Sequence, residues 1–242
     1  MTELLGYSFF TNAIIGVLII SVAAAMIGTY IVARRLVAIS GGVTHACFGG
    51  LGLGYYLGID PTAMAALFAV ASSLGVEWMS SRHRVREDSA IAVIWSIGMA
   101  VGVLFVFLTP GFVPELNAFL FGSILNISVA DLWLFAGYTT LLVLFFWWKF
   151  REIVICAFDR DFARVAGLPV KFVSITMTVF VALCIVLTIR LVGIMLLMSM
   201  ISLPQMTAEI FCKRFRTVML MSVFISVAGC LGGLVLSAYI DV

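Results

Sequence analysis

The sequence predicts an all-α integral membrane protein, a polytopic helical bundle of about eight transmembrane helices with a short re-entrant segment and one short cytoplasmic helix. Three observations predict it. The 242-residue chain is 64% hydrophobic and only 11% charged, where a soluble domain carries about 25% charged and 45–50% apolar residues. The apolar residues fall into runs close to the about 20 that a helix needs to cross the hydrocarbon core. The basic residues sit in the gaps between those runs, almost all in gaps on one side. Residues 1–242 therefore read as a single transmembrane domain, with no room for a soluble one.

The spans, in order, are Phe9–Ala33, Leu36–Ile59, Pro61–Met79, Ser89–Thr109, Val129–Trp148, Val170–Ile189, Leu191–Cys212 and Val218–Ile240. Glu87 and Asp88 precede the fourth span and suit the first turn of a helix, where the peptide dipoles favour negative charge. Asn117–Asn126 is apolar but too short to cross, so it reads as the re-entrant or interfacial piece, tolerated at membrane depth only under a cover of protein or beside a cavity. In the seventh span Pro204 is expected to break or kink the helix and to free backbone carbonyls near mid-membrane. Met195 and Met198, one helical turn apart there, read mainly as packing residues, although thioethers also bind soft metals. Glu209 and Lys213 read as an i,i+4 pair.

Orientation follows from the basic residues. Arg34 and Arg35, then Arg82, Arg84 and Arg86, then Lys149, Arg151, Arg160, Arg164 and Lys171, then Lys213, Arg214 and Arg216 all fall on one side; only Arg190 falls opposite. The positive-inside rule makes the crowded side cytoplasmic and puts both ends of this chain outside, with Asp60, Glu115 and Asp131 near the outer face. The basic clusters set topology and meet lipid headgroups. No aromatics interleave them as on a nucleic-acid surface. The start, MTELLGY, lacks the basic region of a cleavable signal.

The five cysteines (Cys47, Cys156, Cys184, Cys212 and Cys230) form no CxxC pair and read as small buried apolar residues. No HExxH and no paired membrane aspartates occur, which removes the residues of intramembrane proteolysis. His83 lies in the basic stretch RHRVRED and reads as solvated. His45 is different. It lies inside the second span among Gly41, Gly42, Gly49, Gly50, Gly52 and Gly54. An ionisable group at membrane depth is costly, so a functional site is the default reading, with packing in a helix bundle as the alternative. The glycines let neighbouring backbones approach closely.

Between Lys149 and Lys171 the sequence AFDRDFARVAGLPV encodes a short helix. Asp159 caps it, Gly167 ends it and Pro169 prevents its continuation. Phe158, Phe162, Val165 and Ala166 then share a face that Asp161 and Arg164 avoid. Such a helix lies in the headgroups or fits a groove in a cytoplasmic partner, and its small apolar face favours the partner.

Taken together, RRLVAISGGVTHA at 34–46, VREDSAIAVIWS at 85–96, FLFGSILNIS at 119–128, FDRDFARVAGLPV at 158–170, RLVGIMLL at 190–197 and SLPQMTAEI at 202–210 resemble, in order, the permease subunits of bacterial ABC importers for zinc, manganese and iron, the ABC-3 family. The resemblance implies a homodimer in the bacterial inner membrane that moves a divalent metal ion along its axis and does no chemistry of its own. It binds no cofactor. A pair of cytoplasmic ATP-binding subunits would drive it, and an external metal-binding protein would deliver the ion. The short helix would be the coupling helix, engaging the ATPase through Phe158, Asp159, Phe162, Ala163 and Gly167. His45 would be the metal ligand. The family's second span commonly reads Asp-x-x-x-His, and this chain has Gly41 at the aspartate position. Members also commonly continue beyond the point where this chain stops, which would carry the C-terminus to the cytoplasm. A permease for a chelated metal or cofactor, and an ATP-independent proton-coupled carrier, are the competing readings. The first is usually longer, and the second wants carboxylates at membrane depth.

Overall fold

A computed structural model of the chain describes residues 8–83, 85–110, 122 and 127–240. Glu115 and nearly all of Asn117–Asn126, the expected re-entrant piece, lie outside these residues, as do the side chains of Arg82 and His83. The described residues form α1 (Ser8–Ala33), α2 (Ala38–Leu57), α3 (Pro61–His83), α4 (Glu87–Leu108), α5 (Val129–Phe158), α6 (Arg160–Val165), α7 (Val170–Phe211) and α8 (Phe215–Ile240), with no strand among them. Six of these helices are long and apolar enough to cross a membrane: α1, α3, α4, α5, α7 and α8.

The remaining long helix, α2, is glycine-rich and sheathed by protein. Nearly every residue from Ile39 to Gly54 is buried, chiefly against α3 and α4. A Cβ placed on Gly102 of α4 would strike the backbone of Phe48, and one on Gly49 of α2 would lie 3.0 Å from the Gly98 carbonyl oxygen. The two backbones therefore touch, and dispersion over that contact replaces the hydrophobic drive that lipid cannot supply.

At 42 residues, α7 would stretch about 63 Å if straight, twice the about 30 Å hydrocarbon core. It folds back at Gly193, where φ 76° and ψ 175° define a conformation open to glycine and closed to side chains. Near its start, Ser174 donates to Glu77 of α3. At the fold, Arg190 pairs with Asp131 at the beginning of α5, 2.9 Å away. Beyond it, Leu191 lies beside Gly16 and Gln205 beside Gly28 of α1, so this arm runs in the same direction as α1, toward Arg34. The two arms are the expected sixth and seventh spans, separated at Gly193.

Of the two expected outcomes, a break or a kink, Pro204 does not produce a break: the helix continues through it to Phe211. Its missing N–H orphans the Met200 carbonyl, and the buried Gln205 side chain takes that oxygen with Nε2 at 3.3 Å. The same Nε2 lies 3.3 Å from the Ala24 carbonyl oxygen of α1. The proline-freed group is thus satisfied within the bundle and is not left over for an ion. Gln205→Leu should leave the Met200 carbonyl unpaired, costing about 1–3 kcal/mol. Thermal unfolding of the purified protein should then fall by several degrees; an unchanged midpoint would contradict this role.

Two further differences are local. Lys149, with φ −113° and ψ 20°, kinks α5, which continues past the expected end at Trp148 to Phe158. Its ammonium sits over the Trp148 ring and bonds Glu152 at 2.8 Å, an anchor of the kind found where helices leave the bilayer. The Glu209–Lys213 pair does not form, because α7 stops at Phe211 and extended Cys212 carries Lys213 off the helix.

Both ends of the bundle are defined by charge. Asp131, Arg190 and Asp60 share one end, while Arg34, Arg160 and Lys213 lie at the other. A single cysteine at Asp60 should react with an impermeant thiol reagent from outside intact cells, and one at Arg164 only after permeabilisation. Reaction of both from the same side would overturn this topology.

Candidate functional site

His45 projects from α2, half-buried, with its ring stacked on Trp95 of α4 at 4.6 Å and 5° and more loosely on Phe48. Its Nδ1 is buried and has no hydrogen-bond partner. Imidazole with a nitrogen left over is suited to taking a metal or a proton. Gly41, one turn earlier, is covered by Met198 from the second arm of α7, whose methyl would lie 3.1 Å from a Cβ there. Met195, by contrast, is exposed. Among the described residues no three His, Cys, Asp or Glu side chains converge as metal ligands. One chain thus offers one imidazole, with a thioether side chain over Gly41 one turn away, too few ligands for a closed site. All five cysteines are free thiols; Cys47, Cys156 and Cys184 are buried as expected, whereas Cys212 and Cys230, also expected to be buried, are only partly so.

At the basic end lies a feature that the sequence reading missed. Arg34, Glu77, Arg160 and Glu87 form a closed ring of alternating charge. Arg34 meets Glu87 at 2.7 Å and Glu77 at 3.9 Å; Arg160 meets Glu77 at 3.0 Å and Glu87 at 3.2 Å. Ser174 joins it, accepting from Arg160 at 2.7 Å and donating to Glu77 at 2.7 Å. The Tyr30 hydroxyl accepts from Arg34 at 3.2 Å. Burial opposes the Arg34 charge, yet Tyr30, Glu87 and Glu77 together hold its pKa above the usual value. Only 6% of the Arg34 side chain and 15% of Glu77 meets solvent. Removing one member of such a set strands an uncompensated charge, at about 3–5 kcal/mol for a buried pair. In the sequence alone Arg34 and Arg160 are topology signals and Glu87 is a helix-start charge. Glu77, an ionisable residue within the expected third span, was the available signal.

The short helix α6 forms as the sequence predicts. Asp159 Oδ1 accepts the Asp161 and Phe162 N–H groups at 3.0 and 2.8 Å. Gly167, at φ 71°, reverses the chain, Leu168 N–H closes onto the Ala163 carbonyl, and Pro169 is the N-cap of α7. Ala163 is fully buried and pins the helix to the bundle, while Phe158, Phe162 and Val165 are 66%, 59% and 89% exposed. Arg164 pairs with Asp161 on the surface. Phe158 also meets Phe215 of α8 edge-on. The helix therefore presents an apolar face outward, beyond the membrane end of the bundle.

The chain matches the ABC 3 transport family over residues 6–242. It is 31% identical to a probable iron transport system membrane protein of Haemophilus influenzae, over 100% of this chain and 89% of that one. It is 26% identical to the manganese transport system membrane protein MntC of Halalkalibacterium halodurans, over 99% of this chain and 82% of that one. Among solved structures, PsaBC from Streptococcus pneumoniae in complex with Fab superposes with a TM-score of 0.84 at 23% identity, covering 100% of this chain and 88% of that one. That likeness establishes the same helical fold. The chain is a multi-pass inner-membrane protein and belongs to the ABC 3 transport family.

Proposed function

We infer that this chain is the membrane-spanning permease of an ATP-driven importer of divalent transition-metal ions. The observation that carries this reading is the unpartnered, buried Nδ1 of His45 on the inner helix α2. The iron and manganese transport proteins to which the chain is similar support it. Zinc, manganese and iron are the ions considered; each is a borderline or hard cation that accepts imidazole.

The permease works as a homodimer that places His45 of each chain toward a shared axis. Two imidazoles, with water or the Met198 thioethers, make a site that holds an ion loosely enough to release it, as conduction requires. An external metal-binding protein delivers the ion at the end marked by Asp60 and Arg190. At the basic end, Phe158 at the close of α5 and Phe162 and Val165 of α6 seat in a groove of a cytoplasmic ATP-binding subunit, with Asp159, Ala163 and Gly167 shaping the helix. ATP hydrolysis belongs to that subunit, and this chain supplies the gated path. A bacterial strain lacking its own high-affinity zinc, manganese and iron uptake tests the reading. Co-expression of this chain with an ATPase subunit and a binding protein should restore growth on metal-depleted medium. No rescue with any of the three ions would contradict it.

A further inference from the structure

We propose that the ring of Arg34, Glu77, Arg160 and Glu87 is the mechanical link through which α6 moves the helix pair carrying His45, with Arg160 as the positioning residue. The proposal rests on the reading of the chain as an ATP-driven permease. Arg160 opens α6, immediately after the capping Asp159. Residues two apart on a helix face nearly opposite ways. Arg160 accordingly reaches inward to Glu77, Glu87 and Ser174, while Phe162 stays exposed. A push on the outer face is thus delivered at the guanidinium.

What receives it is a stiff unit. Glu87 is the first residue of α4, the helix whose Trp95 stacks on His45. α4 is locked to α2 by direct backbone contact at Gly98 and Gly102, and packed backbones transmit displacement instead of absorbing it. Arg34 lies in the connection leading into α2 and closes the ring on Glu87 at 2.7 Å. The same four side chains therefore hold the ends of both α2 and α4 to α6. Apolar packing would hold these ends together as strongly as the ion pairs do. A paired polar set adds a fixed register among its members, which a lever needs and a mere anchor does not.

The test separates holding from moving. The permease, its ATPase subunit and the binding protein are reconstituted in proteoliposomes, and folded yield, ATPase co-purification and ions imported per ATP hydrolysed are measured. Glu77→Gln alone should lower folded yield, because Arg34 and Arg160 then share one carboxylate. Glu77→Gln with Arg160→Gln removes one charge of each sign, leaves the Arg34–Glu87 pair and should recover folded yield. Ions imported per ATP should nevertheless remain about tenfold or more below wild type.

A double variant with the wild-type ratio would overturn the proposal and leave a purely structural ring. Should the double variant fail to fold, Arg160→Lys carries the test. An ammonium keeps the charge and cannot reproduce the planar fork across both carboxylates, so the ratio should fall at normal yield, and an unchanged ratio would overturn the proposal. Wild-type uptake indifferent to ATP would remove the functional reading and this proposal with it. ATP-driven wild-type uptake with an unaltered double variant would remove the proposal alone.

Discussion

Phe162→Asp is expected to leave the protein inserted and folded while abolishing co-purification with its ATPase subunit. Phe162 is 59% exposed, and its backbone N–H is held by Asp159, so the substitution removes little packing within the chain and keeps the helix cap. What it removes is an apolar anchor, and what it adds is a charge that the partner groove would have to desolvate. Truncation of a central interface anchor costs about 2 kcal/mol or more, and an unpaired carboxylate adds to that. The measurement is recovery of the ATPase subunit on an affinity-tagged permease, with ATP-dependent uptake alongside. Undiminished recovery would show that α6 is not the docking element.

His45→Ala is expected to bring ATP-driven uptake of Zn²⁺, Mn²⁺ and Fe²⁺ down to the level of vesicles without permease. The loss of stacking on Trp95 costs about 0.5–1.5 kcal/mol, too little to unfold a bundle with the core seen here. Insertion and dimerisation should therefore survive. Gly41→Asp makes the complementary change. It places a carboxylate one turn from the imidazole, on the same side of α2, after a small displacement of the flexible Met198 methyl. Metal retained by the purified protein should rise and release should slow. Wild-type uptake by His45→Ala would make His45 a packing residue and place the ion path elsewhere.

Most of the architecture was legible because lipid leaves few choices: long apolar runs become spans, and basic gaps share a side. The α6 helix was legible residue by residue, since Asp159, Gly167 and Pro169 act locally. The misreadings arose where one residue's effect depends on a distant partner. Pro204 was expected to leave open carbonyls, yet Gln205, the next residue, supplies the donor, and only the approach of α1 at Gly28 fixes its pose. The break between the sixth and seventh spans was legible at Arg190, the lone basic residue on its side, while its place at Gly193 rests on a positive-φ backbone that no local pattern announces. The ring could not be assembled from sequence, since Glu77 and Arg160 are 83 positions apart and each has a bland local reading. Trp95 lay in the stretch VIWS without a signal that it would stack on His45, because that contact depends on how closely α2 and α4 pack.

This chain is expected to pass metal ions only when an ATPase subunit drives it. The most direct test is uptake of radiolabelled Mn²⁺ and Fe²⁺ into proteoliposomes containing the permease, the ATPase subunit and a metal-loaded binding protein. ATP should support accumulation, and a non-hydrolysable analogue or omission of the ATPase subunit should reduce it to background. Accumulation by the permease alone, driven by a proton gradient and indifferent to ATP, would contradict the account.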